Sequence, residues 1–234
     1  MADPTFDHFA SSYETALQAG LSLSGESSDY FADLRVRCLR QRLEKLKTPI
    51  HRLLDFGCGV GATTNFFLDQ FQLEEMVGID PSSASIEIAK KNEADRNSDD
   101  RCQVKYQNLA EFLPDEQFDM VYCNGVFHHI DLLDRYNAMM MIYQSLRPGG
   151  IFAFWENNPY SLPARYVMSR ISFDADAVMV WPLTARRMMR NVGFKVLLTD
   201  YRFVFPRLIR WMRWSENLIC KLPLGAQYLV LCTK

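Results

Sequence analysis

The sequence lacks the features that mark several large classes of protein. Its six cysteines form no C-x-x-C pair and show no metal-ligand spacing, so we expect reduced thiols, no metal site and a cytoplasmic location. No apolar run approaches the ~20 residues of a transmembrane helix, and the first residues lack an apolar signal core. The net charge of −2 argues against nucleic acid as a partner, because a basic footprint dominates that kind of binding.

The 234 residues suit one α/β domain with modest additions. Residues 1–48 carry apolar side chains at helical spacing, which predicts an N-terminal helical cap. From residue 49 to 234, short apolar strands alternate with helices, and this rhythm predicts a mostly parallel sheet with helices on both faces. The rhythm loosens over residues 157–183, which we interpret as an insertion in that domain.

A glycine-rich loop joins the first predicted strand to the next helix. Gly57, Gly59 and Gly61 permit a tight turn and a close approach of backbone to a ligand. A dinucleotide-binding loop usually has the spacing G-x-G-x-x-G, but Ala62 stands where its third glycine would lie. Asp55 would also place a negative charge beside a bound pyrophosphate. The pattern therefore disfavours NAD, while a tight turn without any ligand stays open as an alternative.

Several segments together resemble class I methyltransferases that use S-adenosylmethionine (SAM). The matching segments are residues 53–61, 78–82, 118–121 and 146–150, together with 126–130, which resembles small-molecule members of that family. Residues 147–150 within them are predicted to form the turn before strand five. The resemblance implies a Rossmann-like, seven-stranded sheet whose last strand is antiparallel. It also implies methyl transfer from SAM to a small-molecule acceptor, with S-adenosylhomocysteine (SAH) as the product. A non-catalytic SAM-binding or interaction module is the alternative.

The resemblance also implies roles for individual residues. Gly57 and Gly59 would lie near the methionine part of SAM, Asp80 on the ribose hydroxyls and Pro81 beside the adenine. The family often has an acid before Ala110, and this chain has Leu109 there, so the adenine contact falls to backbone or to Asn108. The other expected cofactor contacts are Tyr13, Arg35, Asp55, Cys58, Asn124 and Gly125.

Arg35 belongs to a leading helical segment that, in similar enzymes, folds over the cofactor. A guanidinium forks well onto a carboxylate, so Arg35 is a candidate partner for the SAM carboxylate. A surface arginine in a helix is the equally weighted alternative.

Candidate catalytic groups follow the fourth and fifth predicted strands. His128 and His129 come after strand four, and Glu156 ends strand five. Imidazole titrates near neutral pH, so one histidine could take a proton from a hydroxyl acceptor. For His128, a partly buried ring bonded to backbone is the favoured alternative, and the reaction could also proceed without a base.

Residues 202–214 combine arginines with aromatic and aliphatic side chains. Arg207, Arg210 and Arg213 recur at every third position. A helix that packs its apolar side and solvates its arginines is favoured over a membrane-facing or lipid-linked surface. An anionic substrate is the third interpretation.

Overall fold

The computed structural model describes residues 24–96, 101–171 and 177–234. The expected cofactor contact Tyr13 lies outside these ranges. A seven-stranded sheet has the strand order β3-β2-β1-β4-β5-β7-β6. The strands are β1 (Arg52–Phe56), β2 (Glu75–Asp80), β3 (Gln103–Asn108), β4 (Phe118–Asn124), β5 (Leu146–Asn157), β6 (Lys195–Arg202) and β7 (Gln227–Thr233).

The helices follow the strands in the alternation that the sequence predicts. They are α1 (Ser28–Leu46), α2 (Thr64–Gln70), α3 (Ser83–Asp95), α4 (Arg135–Ser145), α5 (Leu162–Met168), α6 (Pro182–Val192) and α7 (Glu216–Ile219). Segments Leu109–Glu111 and Arg207–Ser215 are 3-10 helices. Three helices begin with a serine cap: the hydroxyls of Ser27, Ser82 and Ser161 accept backbone hydrogen bonds from Tyr30, Ser85 and Ala164.

The pairing of the strands confirms the expected Rossmann-like sheet. Strands β1 to β5 pair in parallel, and β7 runs antiparallel to both β5 and β6. The central strands are almost wholly buried, as parallel strands covered on both faces must be. The edge strands β3 and β6 are less buried, and most of their residues are exposed or only partly buried.

One local prediction was wrong. Residues 147–150 resemble a turn before strand five, yet they lie within β5. Phe118 pairs with Leu146 and Met120 pairs with Ile151, so these four residues bulge against Asp119 alone. Gly149 permits the bulge because its φ is +79°, a conformation that favours glycine.

Apolar clusters cover both faces of the sheet. On one face, Val36, Leu39 and Leu43 of α1 pack into a cluster that includes Trp155 and Leu229. The other face is covered mainly by α4 and α6, whose Met139, Ile142, Ala185 and Met189 are fully buried. Helix α1 therefore packs directly on the sheet, while the division into a cap (1–48) and a domain (49–234) stays a proposal.

All six cysteines are free thiols, and five of them are buried. None of the helices within the described ranges is both long enough and apolar enough to cross a bilayer.

Candidate active site

The glycine loop wraps closely against two neighbouring strand ends. The amides of Gly57 and Cys58 both donate to the carbonyl of Ile79, at 2.8 and 3.0 Å. Gly57 has φ +78°, and a Cβ there would come within 2.3 Å of Val126 Cγ2. Only glycine fits this position, because both the backbone conformation and the space exclude a side chain.

Asp80 at the end of β2 is tied to the same loop. Its Oδ2 accepts from the amide of Gly59, and its Oδ1 accepts from the amide of Ser82, both at 2.9 Å. These two bonds fix the carboxylate at the edge of the loop. A carboxylate has about four acceptor positions, so the bonds orient Asp80 and are compatible with further donors such as hydroxyls.

A cavity of about 420 Å³ opens beside the loop, at the carboxyl ends of β1, β4 and β5. This is where ligands bind in open α/β sheets, and the volume lies in the usual range for small-molecule sites. Most of the sequence-predicted residues line it: Arg35, Asp55, Gly57, Cys58, Gly59, Asn124, Gly125, His128 and His129. Asp80, Pro81, Asn108, Leu109 and Ala110 do not line it and lie around the end of β2 and β3.

One end of the cavity carries opposite charges that are buried together. Arg35 is 9% exposed and donates to Gln227 Oε1 at 3.1 Å, but its Nε has no partner among the described residues. The alternative that Arg35 is a surface arginine is therefore wrong. Nearby, the buried Oδ1 of Asn124 also lacks a hydrogen-bond partner in the described chain. Buried polar groups are nearly always satisfied, so these two atoms, on residues that line the cavity, are available to a polar ligand or to water.

Asp55 is the acidic member of this group and is 2% exposed. Burial raises the pKa of Asp55 to about 7, against the hydrogen bond that Thr63 Oγ1 donates to its Oδ2 at 2.9 Å. The negative charge of Asp80 raises this pKa further and the positive charge of Arg35 lowers it. The carboxyl would therefore ionise readily near neutral pH when a cationic ligand binds beside it.

His128 and Glu156 form a buried pair. His128 Nδ1 lies 2.6 Å from Glu156 Oε2, and Glu156 Oε1 accepts from the amides of Phe127 and His128 at 2.8 and 3.3 Å. Nδ1 of His128 is therefore paired with a carboxylate, whereas the sequence analysis expected a bond of the ring to backbone. Glu156 is 1% exposed and does not line the cavity, so it lies behind His128.

His129 also lines the cavity and is only partly buried. Its ring centroid lies 4.1 Å from that of His128. Gly125 positions this turn, because it has φ +67° and its amide donates to the carbonyl of Trp155 at 2.9 Å. The two histidines thus project from one tight turn at the end of β4.

The side chain of Asn108 is hydrogen-bonded to neighbouring segments of the chain. Its Nδ2 donates to the Pro81 carbonyl and to Ser83 Oγ, at 3.1 and 3.0 Å, and its Oδ1 accepts from the Ala110 amide at 2.9 Å. These bonds hold the start of α3 against the 3-10 helix that begins at Leu109. Both the amide nitrogen and the amide oxygen of Asn108 are therefore engaged within the protein.

The sequence analysis missed the apolar wall of the cavity. The wall includes Val167, Met168, Ile171, Phe203, Val204 and Phe205. These side chains come from segments that are far apart in the chain, and none of them carries a recognisable motif. The aromatic pair Tyr30–Phe31 was a sequence signal for this wall, and Phe31 packs edge-on against Phe203 at 5.1 Å between ring centroids.

A model described as a methyltransferase domain matches residues 54–152. Trans-aconitate 2-methyltransferase from Rhizobium rhizogenes is 28% identical over 143 residues, covering 59% of this chain and 51% of the relative. Malonyl-[acyl-carrier protein] O-methyltransferase from Priestia megaterium is 26% identical over 130 residues, covering 54% and 45%. The chain thus spans about half the length of the curated relatives it matches.

A solved structure extends the likeness over the whole fold. The SAM-dependent methyltransferase from Thermotoga maritima, described as a possible histamine N-methyltransferase, aligns with a TM-score of 0.65 and 19% identity. The alignment covers 98% of this chain and 97% of that one, which shows a shared fold. The chain is therefore similar to SAM-dependent methyltransferases, in sequence over residues 54–152 and in fold over the whole sheet.

Proposed function

We propose that this chain binds SAM in the cavity and transfers its methyl group to a small-molecule acceptor. The observation that carries the proposal is the buried group of Arg35, Asp55 and Asn124 at one end of the cavity. A guanidinium with an unsatisfied Nε suits a carboxylate, while a carboxyl and an unsatisfied amide oxygen suit an ammonium. The amino-acid end of SAM carries both groups, so it would supply a partner for all three residues.

The remaining cofactor contacts follow from the strand ends. Asp80, held by Gly59 and Ser82, is the proposed partner of the ribose hydroxyls. Pro81, Leu109 and the backbone of Ala110 are proposed to border the adenine. Cys58 and Gly125 would line the space between the two ends.

Bound SAM would supply a methyl group that its sulfonium already activates. The chain itself then has to align the acceptor, exclude water and accept a proton. With Nδ1 bonded to Glu156, neutral His128 has Nε2 as its proton-accepting nitrogen. We assign His128 as the proposed base and Glu156 as a positioning residue that fixes its tautomer and would stabilise the imidazolium. His129 is proposed to contact the acceptor.

The apolar wall of the cavity suggests what kind of acceptor fits. It is formed by aromatic and aliphatic side chains, including Phe31, Phe203 and Ile171. We therefore propose an acceptor with an apolar body and one nucleophilic group. The two curated relatives are named for different acceptors, so the kind of acceptor proposed for this chain rests on the lining of the cavity alone.

A labelling experiment tests the proposal. SAM carrying an isotopic label in its methyl group is incubated with the protein and a small-metabolite extract, and labelled products are sought by mass spectrometry. We expect labelled product with the wild-type chain and much less with Arg35→Gln at the same SAM concentration. SAM binding without any labelled product would instead favour the non-catalytic module.

A further inference from the structure

The segment after β6 presents a fixed surface beside the cavity. Glu216, which is 8% exposed, accepts from the amides of Val204 and Phe205 at 3.0 and 3.2 Å. Arg213 donates to the Phe205 carbonyl, pairs with Glu26 at 2.9 Å and lies 4.8 Å above the ring of Tyr30. These contacts hold the 3-10 helix Arg207–Ser215 in place, so its outer face is a defined surface.

Large apolar side chains are exposed on this helix and on α7, which follows it. Leu208 is 91% exposed, Trp211 71%, Trp214 74% and Leu218 of α7 75%, with a kink at Ile209 between Leu208 and the tryptophans. The expected packing of the apolar side of this segment is therefore wrong for its largest side chains. Trp211 and Trp214 stand on one face because residues three apart eclipse each other in a 3-10 helix. A cluster of large exposed apolar side chains marks an interaction site.

The same segment is basic. Arg207 and Arg210 are exposed, in the row beside that of the tryptophans, and Arg207 also donates to the Gly25 carbonyl at 3.3 Å. Residues 203–215 contain no acid, although the whole chain has a net charge of −2. Arg210 has no ion-pair partner in the part of the chain that the structure describes. We call Arg207, Leu208, Arg210, Trp211, Trp214 and Leu218 the Trp–Arg face.

We propose that the Trp–Arg face docks on the surface of an anionic phospholipid bilayer. Indole rings favour the boundary between headgroups and acyl chains, and guanidinium groups pair with lipid phosphates. A symmetric dimer formed through this face would instead bring the arginines of the two copies together, and no acid of the face would neutralise their charge. Phe205, Pro206 and Arg213 line the cavity, so docking brings the cavity mouth close to the lipid.

Co-sedimentation with vesicles tests the proposal, using phosphatidylcholine alone and phosphatidylcholine mixed with phosphatidylserine. We expect the full chain to bind the mixed vesicles at low salt, to release as salt rises, and to bind pure phosphatidylcholine weakly. Arg207→Gln and Arg210→Gln should each weaken binding roughly 5-fold. Trp211→Ser with Trp214→Ser should abolish it.

Matched controls lie on α6, away from this face. Arg187→Gln with Arg190→Gln removes two exposed arginines, and Leu183→Ser removes a leucine that is 67% exposed. These variants should bind mixed vesicles as the wild type does. The proposal is overturned if the wild type fails to sediment with mixed vesicles at low salt, or if the α6 variants lose binding equally. It is also overturned if light scattering shows a dimer that the tryptophan variants dissociate. Vesicle binding needs no cofactor, so its failure would leave the proposed methyl transfer untouched.

Discussion

The carboxylate of Glu156 lies 2.6 Å from Nδ1 of His128, and both side chains are buried at the end of the sheet. The first prediction concerns this pair. Glu156→Gln keeps the size of the side chain but replaces the acceptor for Nδ1–H with an amide. We expect kcat to fall by roughly 10²- to 10⁴-fold, as for loss of an oriented base, while SAM affinity stays near the wild-type value.

The pH profile separates positioning from mere packing. If Glu156 acts through His128, the variant should also shift the pH dependence of kcat, because the basicity of the imidazole changes. A merely structural role would alter stability and leave the shape of the profile unchanged. Full kcat in folded Glu156→Gln would contradict the proposed role.

The second prediction concerns Arg35. Arg35→Gln removes the charge proposed to hold the SAM carboxylate, and should weaken SAH binding by about 1.5–3 kcal/mol, the usual worth of a charged hydrogen bond. Binding of 5′-methylthioadenosine, which lacks the amino-acid group, should hardly change. Calorimetric titration measures both ligands. Arg37→Gln is the control, since Arg37 lies on the exposed side of the same helix and pairs with Asp33. Equal losses for both ligands would argue against a carboxylate contact.

The third prediction follows from the raised pKa of Asp55. In the ligand-free protein this carboxyl is half protonated near pH 7, because burial raises its pKa to about 7 from an ordinary value of 3.8. A cationic ligand favours the ionised form, so SAM binding should tighten as the pH rises through about 7 and should release a proton. Titrations in buffers of different ionisation enthalpy measure that proton.

The raised pKa of Asp55 also affects the stability of the ligand-free protein, which should fall as the pH rises. The folded state binds the extra proton between pH 3.8 and about 7, so this contribution to the free energy of unfolding declines as the pH rises across that window. Asp55→Asn should remove both pH effects, whereas Asp69→Asn, at an exposed position on α2, should remove neither. Persistence of the proton release in Asp55→Asn would assign it to another group.

The fourth prediction compares two glycines of one loop. Both have positive φ, but a Cβ at Gly57 would lie 2.3 Å from Val126 Cγ2, while a Cβ at Gly59 meets nothing within 4 Å. Denaturant unfolding should show Gly57→Ala to be less stable than Gly59→Ala by about 1–3 kcal/mol, the usual cost of overpacking. Adding Val126→Ala should recover part of this loss for Gly57→Ala only. Equal stability of the two single variants would mean that the contact with Val126 is easily relieved.

The sheet could be predicted because its signals are local. Apolar strands, helix starts such as Ser82 and the glycine loop depend on neighbouring residues, and the structure contains them where the sequence indicates. The bulge at 147–150 could not be predicted, since a Pro-Gly-Gly sequence is equally typical of a turn. Only the pairing of Phe118 and Met120 in β4 with Leu146 and Ile151 in β5 shows which form is adopted.

The sequence predicted many of the residues that line the cavity but few of their contacts. Topology places His128 and Glu156 at one edge, because His128 follows β4 and Glu156 lies at the end of β5, and these strands are parallel neighbours. That Glu156 lies behind the histidine depends on side-chain packing, for which the sequence carries no signal. The contact of Arg35 with Gln227 joins residues 192 positions apart, beyond the reach of any local pattern.

The central claim is that the cavity binds SAM, and calorimetric titration of the full chain tests it most directly. We expect one site for SAM and for SAH, and stabilisation of about 2.7 kcal/mol when either ligand is present at ~100 times its Kd. Arg35→Gln should lose most of this effect while Arg37→Gln retains it. A folded wild-type sample that shows neither heat of binding nor stabilisation with SAM and SAH would contradict the account.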